Sequence, residues 1–91
     1  MFKIGKLFPL AHLVEDLDVV DRWYDDVFAC ERFYRGYEKA ARREASLLVV
    51  GDIVMEPIMP STAPEAAGSP LRKFKDRFGN RLHSIAWYVD D

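Results

Sequence analysis

Two eight-residue segments, one near the start of the chain and one at its end, resemble each other position by position. Residues 9–16 read Pro-Leu-Ala-His-Leu-Val-Glu-Asp, and residues 84–91 read Ser-Ile-Ala-Trp-Tyr-Val-Asp-Asp. Ala, Val and the final Asp recur, and two further positions exchange Leu for Ile and Glu for Asp. Both segments are short, apolar and closed by acidic residues, which is typical of strands. The chain is therefore predicted to end by repeating the structural unit with which it begins.

The composition is that of one folded domain. Of the 91 residues, 49% are hydrophobic and 31% charged, and the aromatic content is too high for a disordered chain. The formal charge of -2 gives no concentrated basic surface, so a nucleic-acid partner is not expected. The longest aliphatic run, residues 47–50, is far too short to cross a membrane. Cys30 is the single cysteine and no signal-like stretch opens the chain, which favours a cytoplasmic location.

The first half of the chain predicts a strand, a helix and a strand pair. Residues 7–14 form a short apolar run, and Asp16 or Asp18 can cap the helix that follows. Residues 31–38, which end around Gly36, and residues 45–50 are predicted as strands. Gly51-Asp52 then predicts a tight hairpin leading into residues 53–58. The apolar stripe of the helix is predicted to be Val19, Val20, Trp23, Val27 and Phe28, its polar face to be Asp21, Arg22, Asp25 and Asp26, and Trp23 and Tyr24 to lie in the core.

The second half predicts a loop, a short helix and a last strand. Pro57, Pro60 and Pro64 cannot continue a central strand, so the chain is expected to leave the sheet there. Ser69-Pro70 is a helix start and Gly79 a helix stop, with Leu71, Phe74 and Phe78 between them as an apolar stripe. Residues 82–89 return to a strand-like pattern.

Near the start of the chain, Val14-x-Asp16-Leu17 is followed by Trp-Tyr at 23–24 and Val-Phe at 27–28. This pattern resembles the opening of the vicinal-oxygen-chelate superfamily, which includes glyoxalase I, bleomycin-resistance proteins, extradiol dioxygenases and methylmalonyl-CoA epimerases. Residues 82–91, Leu-His-Ser-Ile-Ala-Trp-Tyr-Val-Asp-Asp, are similar to the start of the second module, most closely in the epimerases. The resemblance implies an α+β fold, a βαβββ glyoxalase-like module with a short extra helix and the first strand of a second module. The first module with its loop and helix would span residues 1–80, and the second would open at 81–91.

The resemblance also implies where a divalent metal would bind. The family's ligand positions correspond to Pro9, Ile53 and Ser84 in this sequence, and none of these side chains is a good metal ligand. His12, Glu56 and His83 are suitable ligands, but strand alternation is expected to point all three to the opposite face. No family metal site is therefore expected in this half. A divalent metal on His12, Glu56 and His83 would require register shifts such as β-bulges.

Two further features of the sequence are candidate functional groups, namely the basic residues near position 42 and the single cysteine. Arg42 and Arg43, with Lys39 nearby, can attract an anionic substrate group, although basic residues between strands are usually solvated. Cys30 has no neighbouring Cys or His, so a nucleophilic role is not expected.

Three functions are compatible with the sequence. The first is binding of a small oxygen-bearing or partly apolar molecule in a sheet cavity, without a metal or a known catalytic residue in this half. The second is a metal-dependent epimerase, lyase or dioxygenase of the same superfamily, and the third is a structural dimerisation module. The cavity of the first reading is predicted to be lined by Pro9, Ala11, Leu13, Ile53, Met55, Ser84 and Ala86.

The resemblance implies a second helix and three more strands beyond Asp91, which either a longer chain or another subunit would supply. Without them, a five-stranded half-barrel exposes an apolar concave face and a free sheet edge. We therefore expect the chain to form a homodimer in which concave faces or sheet edges meet.

Overall fold

Five strands and two helices follow one another along residues 3–90, the part of the chain that the structure, a computed structural model, describes; side chains are described for residues 8–87. The elements are β1 (Lys3–Leu13), α1 (Leu17–Phe28), β2 (Glu31–Glu38), β3 (Arg43–Val50), β4 (Ile53–Pro60), a short 3₁₀ helix (Pro64–Ala66), α2 (Pro70–Phe78) and β5 (Leu82–Asp90). This is the predicted α+β arrangement of a βαβββ module, a short helix and one further strand. Within this range no helix is both long enough and apolar enough to cross a membrane.

All five of these strands belong to one sheet with the order β2-β3-β4-β1-β5. β1 lies between β4, with which it is parallel, and β5, with which it is antiparallel. The two similar segments of the sequence are therefore neighbours in space, and Ala11 of β1 pairs with Ser84 of β5. β5 and β2 form the two edges of the sheet.

Helix α1 begins at a capping residue and buries one side against the sheet. The carboxylate of Asp16 accepts a hydrogen bond from the backbone N–H of Val19 at 3.2 Å, which confirms Asp16 as the N-cap. The buried residues of α1 are Leu17, Asp21 and Tyr24. The predicted apolar stripe is therefore mostly wrong: Val20 is partly buried, but the side chains at 19, 23, 27 and 28 are about half exposed, because the face turned to the sheet is centred on Asp21 and Tyr24. The predicted core position is confirmed for Tyr24, which is 4% exposed, and wrong for Trp23, which is 51% exposed.

The sheet has two faces, which we name by what covers them. The α1 face carries Ser46 and is covered by α1, because the Ser46 hydroxyl donates a hydrogen bond to Asp21. The cavity face is the opposite one, and it carries Ala11, Leu13, Ala45 and Ile58, which pack together with Leu71 and Phe74 of α2.

The predicted hairpin is confirmed, whereas the predicted end of β4 is wrong. Gly51 has φ of 62°, a conformation that favours glycine, and Val50 pairs directly with Ile53 across the turn. β4 does not leave the sheet at Pro57 but continues to Pro60. A proline lacks only its own N–H donor, and β3–β4 pairing resumes immediately beyond Pro57, so a single missing donor does not end the strand.

The short helix α2 begins and ends as predicted. The Ser69 hydroxyl accepts a hydrogen bond from the backbone N–H of Arg72 at 3.1 Å, Pro70 is the first helical residue, and Gly79 ends the helix with φ of 73°. Leu71 is buried, Phe74 is partly buried, and Phe78 is 43% exposed. α2 thus covers part of the cavity face with Leu71 and Phe74.

Candidate functional site

His12 lies on the α1 face, away from the cavity face. Its Nε2 atom is 2.8 Å from the hydroxyl oxygen of Tyr24, and the two rings are 5.9 Å apart between centroids. Burial lowers the pKa of His12 and raises that of Tyr24. The pair joins β1 to α1, so His12 is a packing residue in this structure and does not meet Glu56 or His83.

Glu56 lies on the cavity face, contrary to the prediction. Its Cα pairs with that of Ala11, whereas Met55 pairs with Leu10, and paired residues of neighbouring strands point to the same face. Met55, and Ile53 two residues before it, therefore lie on the α1 face rather than in the cavity. The faces of β4 were predicted by placing a family ligand position at Ile53, whereas the observed pairing with β1 puts Glu56 on the cavity face.

His83 also lies on the cavity face, and a β-bulge explains why. Ser84 pairs with Ala11 but Leu82 pairs with His12, so one additional residue, His83, is inserted into β5. The imidazole Nδ1 of His83 is 3.3 Å from the Ser84 hydroxyl, and the ring packs edge-on against Phe74 at 4.9 Å. The expectation that His83 points away from the cavity is therefore wrong, since simple alternation is interrupted at this residue.

A cavity lies between α2, β5 and the turn that joins β2 to β3. Its volume is about 450 Å³. It is lined by Ala40, Ala41, Arg42, Arg43, Pro70, Leu71, Phe74 and His83. This volume is within the range of known small-molecule sites, and most of the wall is apolar.

None of the seven residues predicted to line the cavity is part of its wall, although several of them lie on the cavity face. Ala11 and Leu13 are on the cavity face, but they are 2% and 1% exposed because α2 closes over them. Ser84 pairs with Ala11 and so faces the same side, and Ala86, two residues further along β5, is exposed. Pro9 is half-buried in a stretch of β1 where the pairing with β5 is irregular. The cavity is therefore displaced towards α2 and the β2–β3 turn.

Arg43 forms ion pairs with two carboxylates on the cavity face. Its Nε atom is 2.6 Å from a carboxylate oxygen of Glu38, and its Nη2 atom is 3.6 Å from a carboxylate oxygen of Glu56. Burial raises the pKa of Glu56, against the opposing effect of Arg43. Burial also lowers the pKa of His83, and the positive charge of Arg43 lowers it further. His83 is therefore neutral at pH 7 and can donate or accept a hydrogen bond.

The side chains on this face do not fit the family's metal. Glu56 and His83 share the face, but His12 is on the other side of the sheet, and the Arg43 guanidinium is already paired with Glu56. Among the described residues, no three His, Cys, Asp or Glu side chains are grouped so that they could hold a metal ion. A bound divalent cation would also be repelled by Arg43.

The wall that α2 contributes to the cavity was not predicted from the sequence. Leu71 and Phe74 were predicted as the apolar stripe of that helix, but no pattern indicated which face of the sheet it covers. The adjacent alanines of the β2–β3 turn, Ala40 and Ala41, were also missed. Two adjacent alanines in a turn fill little volume, and this is the sequence feature that could have indicated a cavity there.

Comparison with solved structures shows that the chain has the vicinal-oxygen-chelate fold. The crystal structure of methylmalonyl-CoA epimerase from Mycobacterium tuberculosis matches with a TM-score of 0.83 and 23% identity over 97% of this chain. A Streptomyces coelicolor methylmalonyl-CoA epimerase variant in complex with 2-nitronate-propionyl-CoA matches with a TM-score of 0.73 and 16% identity over 93% of this chain. A hypothetical protein from Bacillus halodurans matches with a TM-score of 0.74 and 19% identity over 94% of this chain.

The likeness to these structures is one of fold, and it covers only part of each of them. This chain spans 57% of the Mycobacterium and Bacillus chains and 62% of the Streptomyces chain. No family model matches the sequence, and no curated protein matches it. Two of the three solved structures named above are methylmalonyl-CoA epimerases.

Proposed function

We propose that this chain binds a small, oxygen-bearing and partly apolar molecule in the cavity between α2, β5 and the β2–β3 turn. The observation that carries the proposal is the cavity of about 450 Å³, which combines an apolar wall from Leu71 and Phe74 with the polar groups of Arg43 and His83. An apolar pocket with a few polar groups at one side is the usual form of a small-molecule site. Structural relatives that include an epimerase bound to a coenzyme A thioester analogue are consistent with this use of the fold.

The proposal assigns no metal-dependent reaction to this half of the fold. An epimerase, lyase or dioxygenase of the superfamily would need ligands that Pro9, Ile53 and Ser84 do not supply. A location in the cytoplasm is a further part of the proposal, supported by the single cysteine, Cys30, which makes an internal disulfide impossible.

A variant that fills the cavity tests the binding function. The probe is phenylacetamide, a neutral molecule with an aromatic ring and one carbonyl oxygen, titrated by isothermal calorimetry. Ala41→Phe places a ring in the cavity from an exposed turn position and should abolish binding without unfolding the chain. Ala67→Phe is the matched control, because Ala67 is exposed and lies outside the cavity wall, and it should bind as the unsubstituted chain does. Equal binding by both variants, or none by the unsubstituted chain, would refute the proposal.

A second candidate function, self-association, is favoured by the edge strand β5. Leu82, Ile85 and Trp87 of this strand are 49%, 48% and 52% exposed, an unusual set of large apolar side chains on a free sheet edge. We propose that two copies pair through β5 about a two-fold axis, which would extend the sheet and bring these side chains into contact with their counterparts on the second copy.

A further inference from the structure

Arg42 occupies an unusual backbone conformation at the rim of the cavity. Its φ is 52°, in the left-handed region that residues with a side chain rarely adopt. The surrounding chain holds this conformation: the Arg42 N–H donates to the carbonyl of Lys39 at 3.3 Å, and the Arg42 carbonyl accepts from the N–H of Ser61 at 3.0 Å. The turn is thereby fixed with the Arg42 side chain along the cavity wall.

The basic side chains of the cavity wall are Arg42, Arg43 and His83, and they differ in whether they carry a charge that a neighbouring carboxylate neutralises. Arg43 is paired with the carboxylates of Glu38 and Glu56. His83 is neutral at pH 7 because burial and Arg43 both lower its pKa. Arg42 makes no ion pair with any of the side chains described between residues 8 and 87.

The guanidinium of Arg42 retains most of its hydrogen-bonding capacity. Its Nη1 atom donates to the backbone carbonyl of Glu65 at 3.2 Å, and a guanidinium has five N–H donors. The single contact orients the planar group without neutralising it. An uncompensated guanidinium beside a partly apolar cavity is suited to a planar carboxylate, which it can bind through two parallel hydrogen bonds.

We propose that the molecule bound in this cavity carries a carboxylate, and that Arg42 binds that carboxylate while Leu71 and Phe74 contact its apolar body. The inference rests on the proposed function, since it names the chemical class of ligand for the same cavity. Arg43 does not bind the ligand carboxylate in this proposal, because it already forms ion pairs with Glu38 and Glu56. It contributes only to the wall of the cavity.

The test compares two probes that differ only in charge at one end, phenylacetate and phenylacetamide. The unsubstituted chain is expected to bind phenylacetate about 10-fold more tightly, as one charge-assisted pair in a partly dry site predicts. Arg42→Gln should abolish this preference while retaining the affinity for phenylacetamide. Gln keeps a side chain at the same left-handed position, so it adds no new backbone strain. The matched control is Arg77→Gln on α2, an exposed cation outside the cavity wall, which should keep the preference.

A salt titration of the unsubstituted chain provides a measurement that needs no variant. Raising sodium chloride from about 20 to 300 mM should weaken phenylacetate binding several-fold and leave phenylacetamide binding unchanged. Equal affinities for the two probes would overturn the carboxylate inference and leave the cavity function standing. A preference that survives in Arg42→Gln would also overturn it. Failure of the unsubstituted chain to bind either probe would overturn both proposals.

Discussion

The imidazole of His12 and the hydroxyl of Tyr24 lie 2.8 Å apart and join the central strand β1 to the helix α1. Tyr24 is 4% exposed, so water cannot readily replace its partner. Tyr24→Phe should therefore lower the free energy of unfolding by about 1 to 2 kcal/mol, the cost of one lost hydrogen bond with its partner left half-buried. Urea denaturation measures this loss. Tyr37→Phe, at an exposed position of β2, is the control and should change stability by less than about 0.5 kcal/mol.

The burial of His12 makes the stability of the chain depend on pH. Burial lowers the pKa of His12 in the folded state, so the unfolded chain binds the proton more readily. The contribution of neutral His12 is complete above about pH 6.5 and is lost as the pH falls through the lowered folded-state pKa. His12→Gln should flatten the decline in melting temperature between pH 7 and 5.5. An unchanged pH profile in this variant would contradict the assignment of His12 as a buried neutral group.

A buried carboxylate, Asp21, fastens α1 to the sheet. It is 7% exposed and accepts hydrogen bonds at 2.8 Å from both Arg35 and Ser46. Asp21→Ala should lower the free energy of unfolding by about 2 to 4 kcal/mol. We expect a value in the lower part of this range because Arg35 is partly solvated. The matched control is Asp25→Ala: Asp25 pairs with Arg32 at 3.1 Å, but its side chain is 48% exposed, so its removal should cost less than about 1 kcal/mol. Similar losses in both variants would show that Asp21 has no special role.

Pairing of two copies through β5 predicts a self-association that one charged side chain can abolish. Trp87→Lys places an ammonium group in the apolar edge and should yield a monomer in sedimentation equilibrium. Trp23→Lys is the matched control, since Trp23 is 51% exposed but lies on α1, and it should leave the association unchanged. A monomeric unsubstituted chain at about 100 μM, where a standard interface is normally populated, would contradict the proposal.

Local features of the sequence predicted the elements well, because each is determined by its own residues. The caps Asp16 and Ser69, the stop at Gly79 and the Gly51 hairpin are all decided by short-range hydrogen bonds or backbone conformation. The order of the elements and the resemblance to the vicinal-oxygen-chelate fold followed from these features.

The face on which each side chain lies could not be predicted in the same way. Glu56 and His83 were assigned to the wrong face because strand register and bulges are set by pairing with β1, which no local pattern of β4 or β5 encodes. Asp21 was assigned to the solvent face of α1 because a buried carboxylate is predictable only when its partners, here Arg35 and Ser46, are known to converge on it. The location of the cavity depends on such tertiary contacts.

Binding of a small molecule between α2 and the β2–β3 turn can be located directly by nuclear magnetic resonance. Phenylacetamide is titrated into the ¹⁵N-labelled chain, and the backbone amide shifts are followed to saturation. We expect the saturating shifts to cluster at Ala40, Ala41, Leu71, Phe74 and His83. Shifts confined to the exposed aromatic residues of α1, or no saturating shift at any amide, would contradict the proposed binding.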